Sequence, residues 1–139
     1  MFFGSLDLRT GALTYVNAGH PAPVLFHPTT RTCDRLDVTG GIIGVLLDME
    51  FEQKTIELEP GSLLAMFTDG VTEASRMPDP AGDGGVCDIL RAHPNLENPK
   101  SVVSQIYKET RRKAAGKLRD DLAIVVLRRV PAQTTPDQV

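Results

Sequence analysis

Two apolar runs, each abutting aspartate, constrain this chain more than any other feature. Leu63-Leu64-Ala65-Met66-Phe67-Thr68 leads into Asp69-Gly70, and Asp120-Asp121 precedes Leu122-Ala123-Ile124-Val125-Val126-Leu127, with Asp69 and Asp120 51 positions apart. Short apolar runs bounded by turn formers suit strands buried on both faces. If the two strands lie side by side in opposite directions, the end of the first meets the start of the second. Both carboxylates then stand at one sheet edge, where they can share a hard divalent cation. The same residues also have a plain structural reading. Asp-Gly is a favoured turn because both residues tolerate left-handed backbone, and an acidic pair ahead of a strand is ordinarily a solvated loop.

The first two-thirds of the chain reads as strands. Phe2 to Leu8 and Ala12 to Ala18, joined through Thr10-Gly11, suggest a hairpin with Leu6, Leu8, Leu13 and Tyr15 as alternating inward positions. Ala22 to His27 is the next expected strand, and Pro28 to Thr32 a turn by composition. Cys33 to Val38 then returns as a short strand. Gly40 to Leu47 is apolar with three glycines and fits a bent strand or a tight packing segment. Phe51 to Leu58 alternates imperfectly and ends at Pro60-Gly61. Leu63 to Thr68 should be a central strand.

Beyond Asp69 the pattern changes. Met77 to Gly85 is dense in Pro, Gly and Asp and is expected to be a mobile loop, followed by a short helix from Val86 to Ala92. Asn98 is a good N-cap, Pro99 suits the first helical position, and Val102, Val103, Ile106 and Tyr107 form an apolar stripe on a helix reaching about Ala115. Lys108, Arg111, Arg112 and Lys113 sit where cations favour a helix C-terminus and read as a solvated face. Gly116 ends this helix, Leu122 to Val130 closes the sheet, and residues 131–139 lack an apolar period, as a disordered tail would.

Composition excludes several function classes. With 41% apolar residues, 139 residues can bury a core, and a net charge of −3 offers no broad basic surface for nucleic acid. No apolar stretch is long enough to span a bilayer and no signal sequence opens the chain, which makes a cytoplasmic location the expectation. Cys33 and Cys87 lack metal-ligand spacing and are expected to be reduced. His27 and His93 have no acidic or cysteine neighbours at ligand spacing.

Asn17-Ala18-Gly19-His20-Pro21, Pro60-Gly61-Ser62-Leu63-Leu64, Phe67-Thr68-Asp69-Gly70-Val71-Thr72-Glu73-Ala74 and Asp120-Asp121-Leu122-Ala123-Ile124-Val125-Val126 occur in this order. In these motifs the chain resembles bacterial metal-dependent Ser/Thr phosphatases of the SpoIIE/RsbU type, relatives of the type 2C phosphatases in the PPM superfamily. The resemblance runs from about Ser5 to Leu127. It implies an α+β fold, part of a PPM-type α-β-β-α sandwich, with mainly antiparallel sheet and two helices. Residues 1–130 would be the C-terminal portion of the phosphatase domain. Such domains open with an Asp-x-x-Gly-His-Gly segment whose Asp bridges two metal ions. The only Gly-His here is Gly19-His20, followed by Pro21, so the N-terminal half is expected to lie outside these 139 residues.

By family position, Asp69 and Asp120 would be direct ligands of Mn²⁺ or Mg²⁺, two ions serving the intact domain. Asp121 would hold a water or support the ligands from behind, Gly70 would permit close backbone approach, and His20 would order its loop by a hydrogen bond. No catalytic side chain is assigned. Glu73 either orients the Asp69 loop or is a carboxylate at a helix start. The implied activity is hydrolysis of phosphoserine or phosphothreonine, with a phosphorylated anti-anti-sigma protein of the STAS type as substrate. Two other readings stand beside it: a catalytically inactive remnant serving as a protein-interaction module, and a β-rich structural domain whose aspartates merely make turns. If half of a sandwich is absent, Phe2, Phe3, Val24, Phe26 and the 42–47 run would be incompletely covered and favour self-association through a sheet edge.

Overall fold

The computed structural model describes residues 1–45, 48–74, 79, 81–118 and 120–130, so the expected tail at 131–139 lies outside the described residues. A hairpin comes first. β1 (Phe2–Leu6) and β2 (Ala12–Asn17) pair antiparallel, and β5 (Lys54–Glu57) joins the other edge of β2, giving the order β1-β2-β5. The second sheet contains β3 (Val24–His27), β4 (Thr32–Arg35), β6 (Leu63–Phe67) and β7 (Ile124–Arg128) in the order β4-β3-β6-β7, all antiparallel.

Period-two alternation divides the side chains of this second sheet between two cores. Val24, Phe26, Leu63, Ala65 and Phe67 pack against α2 (Val86–Ala92) and α3 (Pro99–Lys113), meeting Val86, Leu90, Val102 and Ile106. Leu25 and Leu64 point the other way, onto Leu13, Tyr15, Leu36 and Leu58 beneath the first sheet. Each fully buried side chain of this kind contributes about 1.5–3 kcal/mol relative to exposure. The result is three layers, helices on sheet on sheet. Among the described residues no helix covers the outer face of β1-β2-β5, which matches part of an α-β-β-α sandwich.

The helix boundaries follow local chemistry. Asn98 Oδ1 accepts the Lys100 N–H at 3.1 Å, and Pro99 occupies the first position, where its missing N–H costs nothing. At the other end Ala115 and Gly116 both turn left-handed, at φ 51° and 78°, and donate to the Arg112 and Arg111 carbonyls at 3.1 and 2.8 Å, which stops α3.

Several expectations need correction. Leu8 does not alternate inward: β1 ends at Leu6 and Leu8 stands 87% exposed in the turn. Val24 and Phe26 are fully buried, because the helical layer covers their face; of the expected set Phe3, Ile42, Ile43 and Val45 are exposed and Phe2 half-buried, and 46–47 lie outside the described residues. Of the two readings of the segment from Gly40, tight packing holds and the bent strand does not: Gly40 bridges both Ala18 and Phe51, a Cβ on it would meet the Phe51 ring at 2.5 Å, and a turn follows at 43–45. Tyr107 is exposed beside Arg111, so the stripe of α3 narrows to Val102 and Ile106 with Val103 half-buried. His27 does have an acidic neighbour, since Nε2 lies 2.9 Å from Asp34 Oδ2 on the adjacent strand. Cys33 and Cys87 form a disulfide with a Cα separation of 6.1 Å. Spacing along the chain gave no cue, because strand β4 and helix α2 are brought together only by packing.

Candidate metal centre

The register of β6 and β7 decides the site. Phe67 pairs with Ile124, so the residues that follow β6 and precede β7 emerge together. The Thr68 N–H donates to the Ala123 carbonyl at 3.1 Å, and the Thr68 hydroxyl both donates to the Asp121 carbonyl at 2.8 Å and accepts the Ala123 N–H at 3.0 Å. One side chain thus stitches the two loops together. Immediately after it, the one-turn helix α1 (Asp69–Thr72) begins with Asp69 and buries Val71 in the core, which fixes the direction in which the exposed Asp69 leaves the sheet.

Gly70 is where the two loops touch. A Cβ there would lie 2.5 Å from the Asp121 carbonyl oxygen and 3.3 Å from that of Asp120, so only glycine permits this approach. Asp120 and Asp121 are both exposed, and Asp120 Oδ1 accepts the Asp121 N–H at 2.7 Å. Asp69, Gly70, Asp120 and Asp121 are therefore gathered at one corner. Glu73 is the C-cap of α1, where it faces the wrong end of the helix dipole to act as a helix-start carboxylate; Asp69 holds that place.

The Asn17 turn stands at the same end of the sandwich, and there the organising residue is one that sequence reasoning left without a role. Asn17 is fully buried. Its Oδ1 accepts the His20 N–H at 2.9 Å, and its Nδ2 donates to the carbonyls of His20 and Leu36, each at 3.0 Å. Its backbone binds Thr39 twice, N–H to Oγ1 and carbonyl to N–H, each at 2.9 Å. The His20 ring bonds to the neighbouring Pro21 carbonyl, Nδ1 to oxygen at 2.7 Å, and tilts against the Phe2 ring at 6.4 Å. An Asn three residues ahead of the N–H it caps is a readable Asx signal.

The donor set suits a hard cation in kind, since carboxylate oxygens and nearby carbonyls are what Mg²⁺ and Mn²⁺ prefer. In number it is sparse: among the described residues no cluster of three or more His, Cys, Asp or Glu converges. A hollow of about 460 Å³ between α2 and α3 lies elsewhere, and its cations are engaged within it, Arg112 with Glu109 and Lys113 with the Gly84 carbonyl. No described helix is long and apolar enough to cross a membrane.

Residues 1–130 match the family model described as Stage II sporulation protein E (SpoIIE). The phosphoserine phosphatase RsbU of Bacillus subtilis is 26% identical over 129 residues, 93% of this chain and 38% of its own length. The phosphoserine phosphatase RsbP of the same organism is 32% identical over 90 residues, 65% of this chain and 21% of its own. The phosphatase domain of the cell-fate determinant SpoIIE from B. subtilis superposes with a TM-score of 0.79 at 16% identity, covering 97% of this chain and 60% of that one. The chain thus spans 21–38% of the length of these two relatives and 60% of the solved phosphatase domain.

Proposed function

Because the chain belongs to the SpoIIE family, we propose that it is the C-terminal portion of a metal-dependent phosphoserine/phosphothreonine protein phosphatase of the sigma-factor-regulating type. The observation that carries this reading is the β6–β7 register, which brings Asp69-Gly70 against Asp120-Asp121 at one exposed corner. Asp69 and Asp120 would hold Mn²⁺ or Mg²⁺. Asp121 would act from behind them, its loop fixed through Thr68. When bound, such cations polarise phosphoryl oxygens and make water acidic enough to attack phosphorus.

The chain's own residues supply orientation. Thr68 locks the two loops, Val71 anchors the helix that begins at Asp69, and Gly70 keeps the gap closed. A phosphorylated STAS-type anti-anti-sigma protein is the substrate we assign, on the strength of the similarity to RsbU and RsbP. The same reading puts the chain in the cytoplasm, where such a substrate would act.

Two ions are needed to activate the attacking water, and the corner offers carboxylates for about one. The 139 residues alone are therefore expected to show no Mn²⁺-dependent turnover of a phosphopeptide or p-nitrophenyl phosphate above background. Adding the remaining part of such a domain, fused or in trans, should restore turnover, and Asp69→Asn should remove it again. The sparse donor set also favours a second reading, an inactive protein-interaction module. Failure of complementation with Asp69 and Asp120 intact would select it. Exposed Phe3 and Val125 on edge strands β1 and β7 support self-association of the isolated chain. A monodisperse monomer at high concentration would exclude that.

A further inference from the structure

The Cys33–Cys87 bond joins positions 54 residues apart and ties an edge strand to a helix. β4 is held on one side only, by β3, while α2 is seven residues long. The bond is reachable from outside: Cys33 is half-buried, and the pair lines a surface hollow with Arg35, Asp83, Asp88 and Arg91.

From Cys87 a chain of contacts leads to the metal corner. The N–H groups of Gly85 and Cys87 donate to the buried Asp83 carboxylate at 2.7 and 3.2 Å. Gly84, at φ 66°, lies so close to α1 that a Cβ would sit 2.8 Å from the Val71 carbonyl oxygen. Val71 in turn anchors the helix that Asp69 begins. Segment 81–85, tied also by the Asp79 carboxylate to the Gly82 and Gly84 N–H groups and by Lys113 to the Gly84 carbonyl, thus bridges α2 and α1.

We propose that Cys33–Cys87 is a site of reversible thiol–disulfide exchange whose state sets how firmly the Asp69 helix is held. Its reaction partner is a dithiol reductant. A thiolate of the dithiol attacks the sulfur of Cys33, the less buried of the two residues, the sulfur–sulfur bond breaks, and Cys87 leaves as a thiolate that takes up a proton. The second thiol of the reductant, once deprotonated, attacks the mixed disulfide and releases Cys33, which is protonated in turn. Overall the dithiol is oxidised to a disulfide and both cysteines are reduced to thiols. Exposure makes a disulfide labile, and here Cys33 supplies it, Cys87 being buried in the core. After reduction α2 retains the apolar contacts of Val86 and Leu90 in the core, so the helix is loosened and not released.

The test needs only the intact 139-residue chain and is independent of any hydrolytic activity. Hydrogen–deuterium exchange is followed by mass spectrometry with and without dithiothreitol, and thiols are counted by alkylation. The expected result is reduction of both cysteines under native conditions and exchange about 10-fold faster in residues 83–90 and 69–73, with β1–β2 unchanged. Glutathione disulfide should reverse the change, and Cys33→Ser should show the faster pattern regardless of dithiothreitol. The proposal is overturned if the bond resists dithiothreitol until the whole chain unfolds. It is equally overturned if reduction leaves exchange in 69–73 unaltered in the wild-type chain.

Discussion

Thr68 and Asp121 are joined by a hydrogen bond from hydroxyl to carbonyl of 2.8 Å, spanning 53 positions of sequence at the point where two strands of the second sheet end and begin. Because the same hydroxyl accepts from Ala123, the acidic loop cannot shift without breaking both bonds. The closeness of Gly70 to that loop follows from this lock.

Gly70→Ala is expected to force the corner open, since its Cβ would meet the Asp121 backbone oxygen, which cannot swing aside as a flexible side chain can. The expected cost is about 1–3 kcal/mol, as for other overpacked sites. Urea denaturation measures it, and an unchanged midpoint would show that the loops are not locked.

Mn²⁺ binding by the isolated chain should be weak, on the order of millimolar, as in sites with few charged ligands. Asp69→Asn and Asp120→Asn should each abolish the titration seen by calorimetry or water-proton relaxation, while Asp121→Asn should reduce it less. Equal losses at all three positions, or none, would count against Asp69 and Asp120 as the ligands.

Asn17→Ala should destabilise the chain by about 2–3 kcal/mol, because it orphans the His20 N–H and removes two donated bonds in a buried setting. His20→Ala should cost less than about 1 kcal/mol, as the ring makes a single hydrogen bond, to its neighbour, and a tilted contact with Phe2 at 6.4 Å. The reverse order in thermal melts would return the ordering role to His20.

Asp7 provides a pH prediction. Its carboxylate accepts the N–H groups of Thr10 and Arg9, at 3.1 and 2.8 Å, and these hold its pKa below the ordinary carboxylate value of 3.8. A depressed folded pKa stabilises the native state above the unfolded value, and that contribution is lost as pH falls through the folded one. The stability gap between wild type and Asp7→Asn should therefore be constant near neutrality and shrink only below about pH 4. A gap that changes between pH 6 and 8 would point to another group.

Where apolar period or cap chemistry is local, the sequence was a sufficient guide. The β1–β2 hairpin, the central strand Leu63–Phe67, the boundaries of Val86–Ala92 and the Asn98-Pro99 start of α3 follow from side chains within a few residues of one another. That the Asp69-Gly70 loop would meet the Asp120-Asp121 loop was also legible, because two apolar runs with acidic ends can pair in few ways. Other features depend on distant partners. Whether Val24 and Phe26 are covered depends on helices more than 60 positions away, and the Cys33–Cys87 bond depends on how α2 settles against an edge strand. Asn17 carries no local signal that sets it apart from other polar turn residues; packing closes over it, and burial turns its hydrogen bonds into a requirement. Local pattern chose the elements and put aspartate at their ends. Only the register and the layers, which minimise exposed apolar area across the whole chain, decided which side chains face each other and which face water.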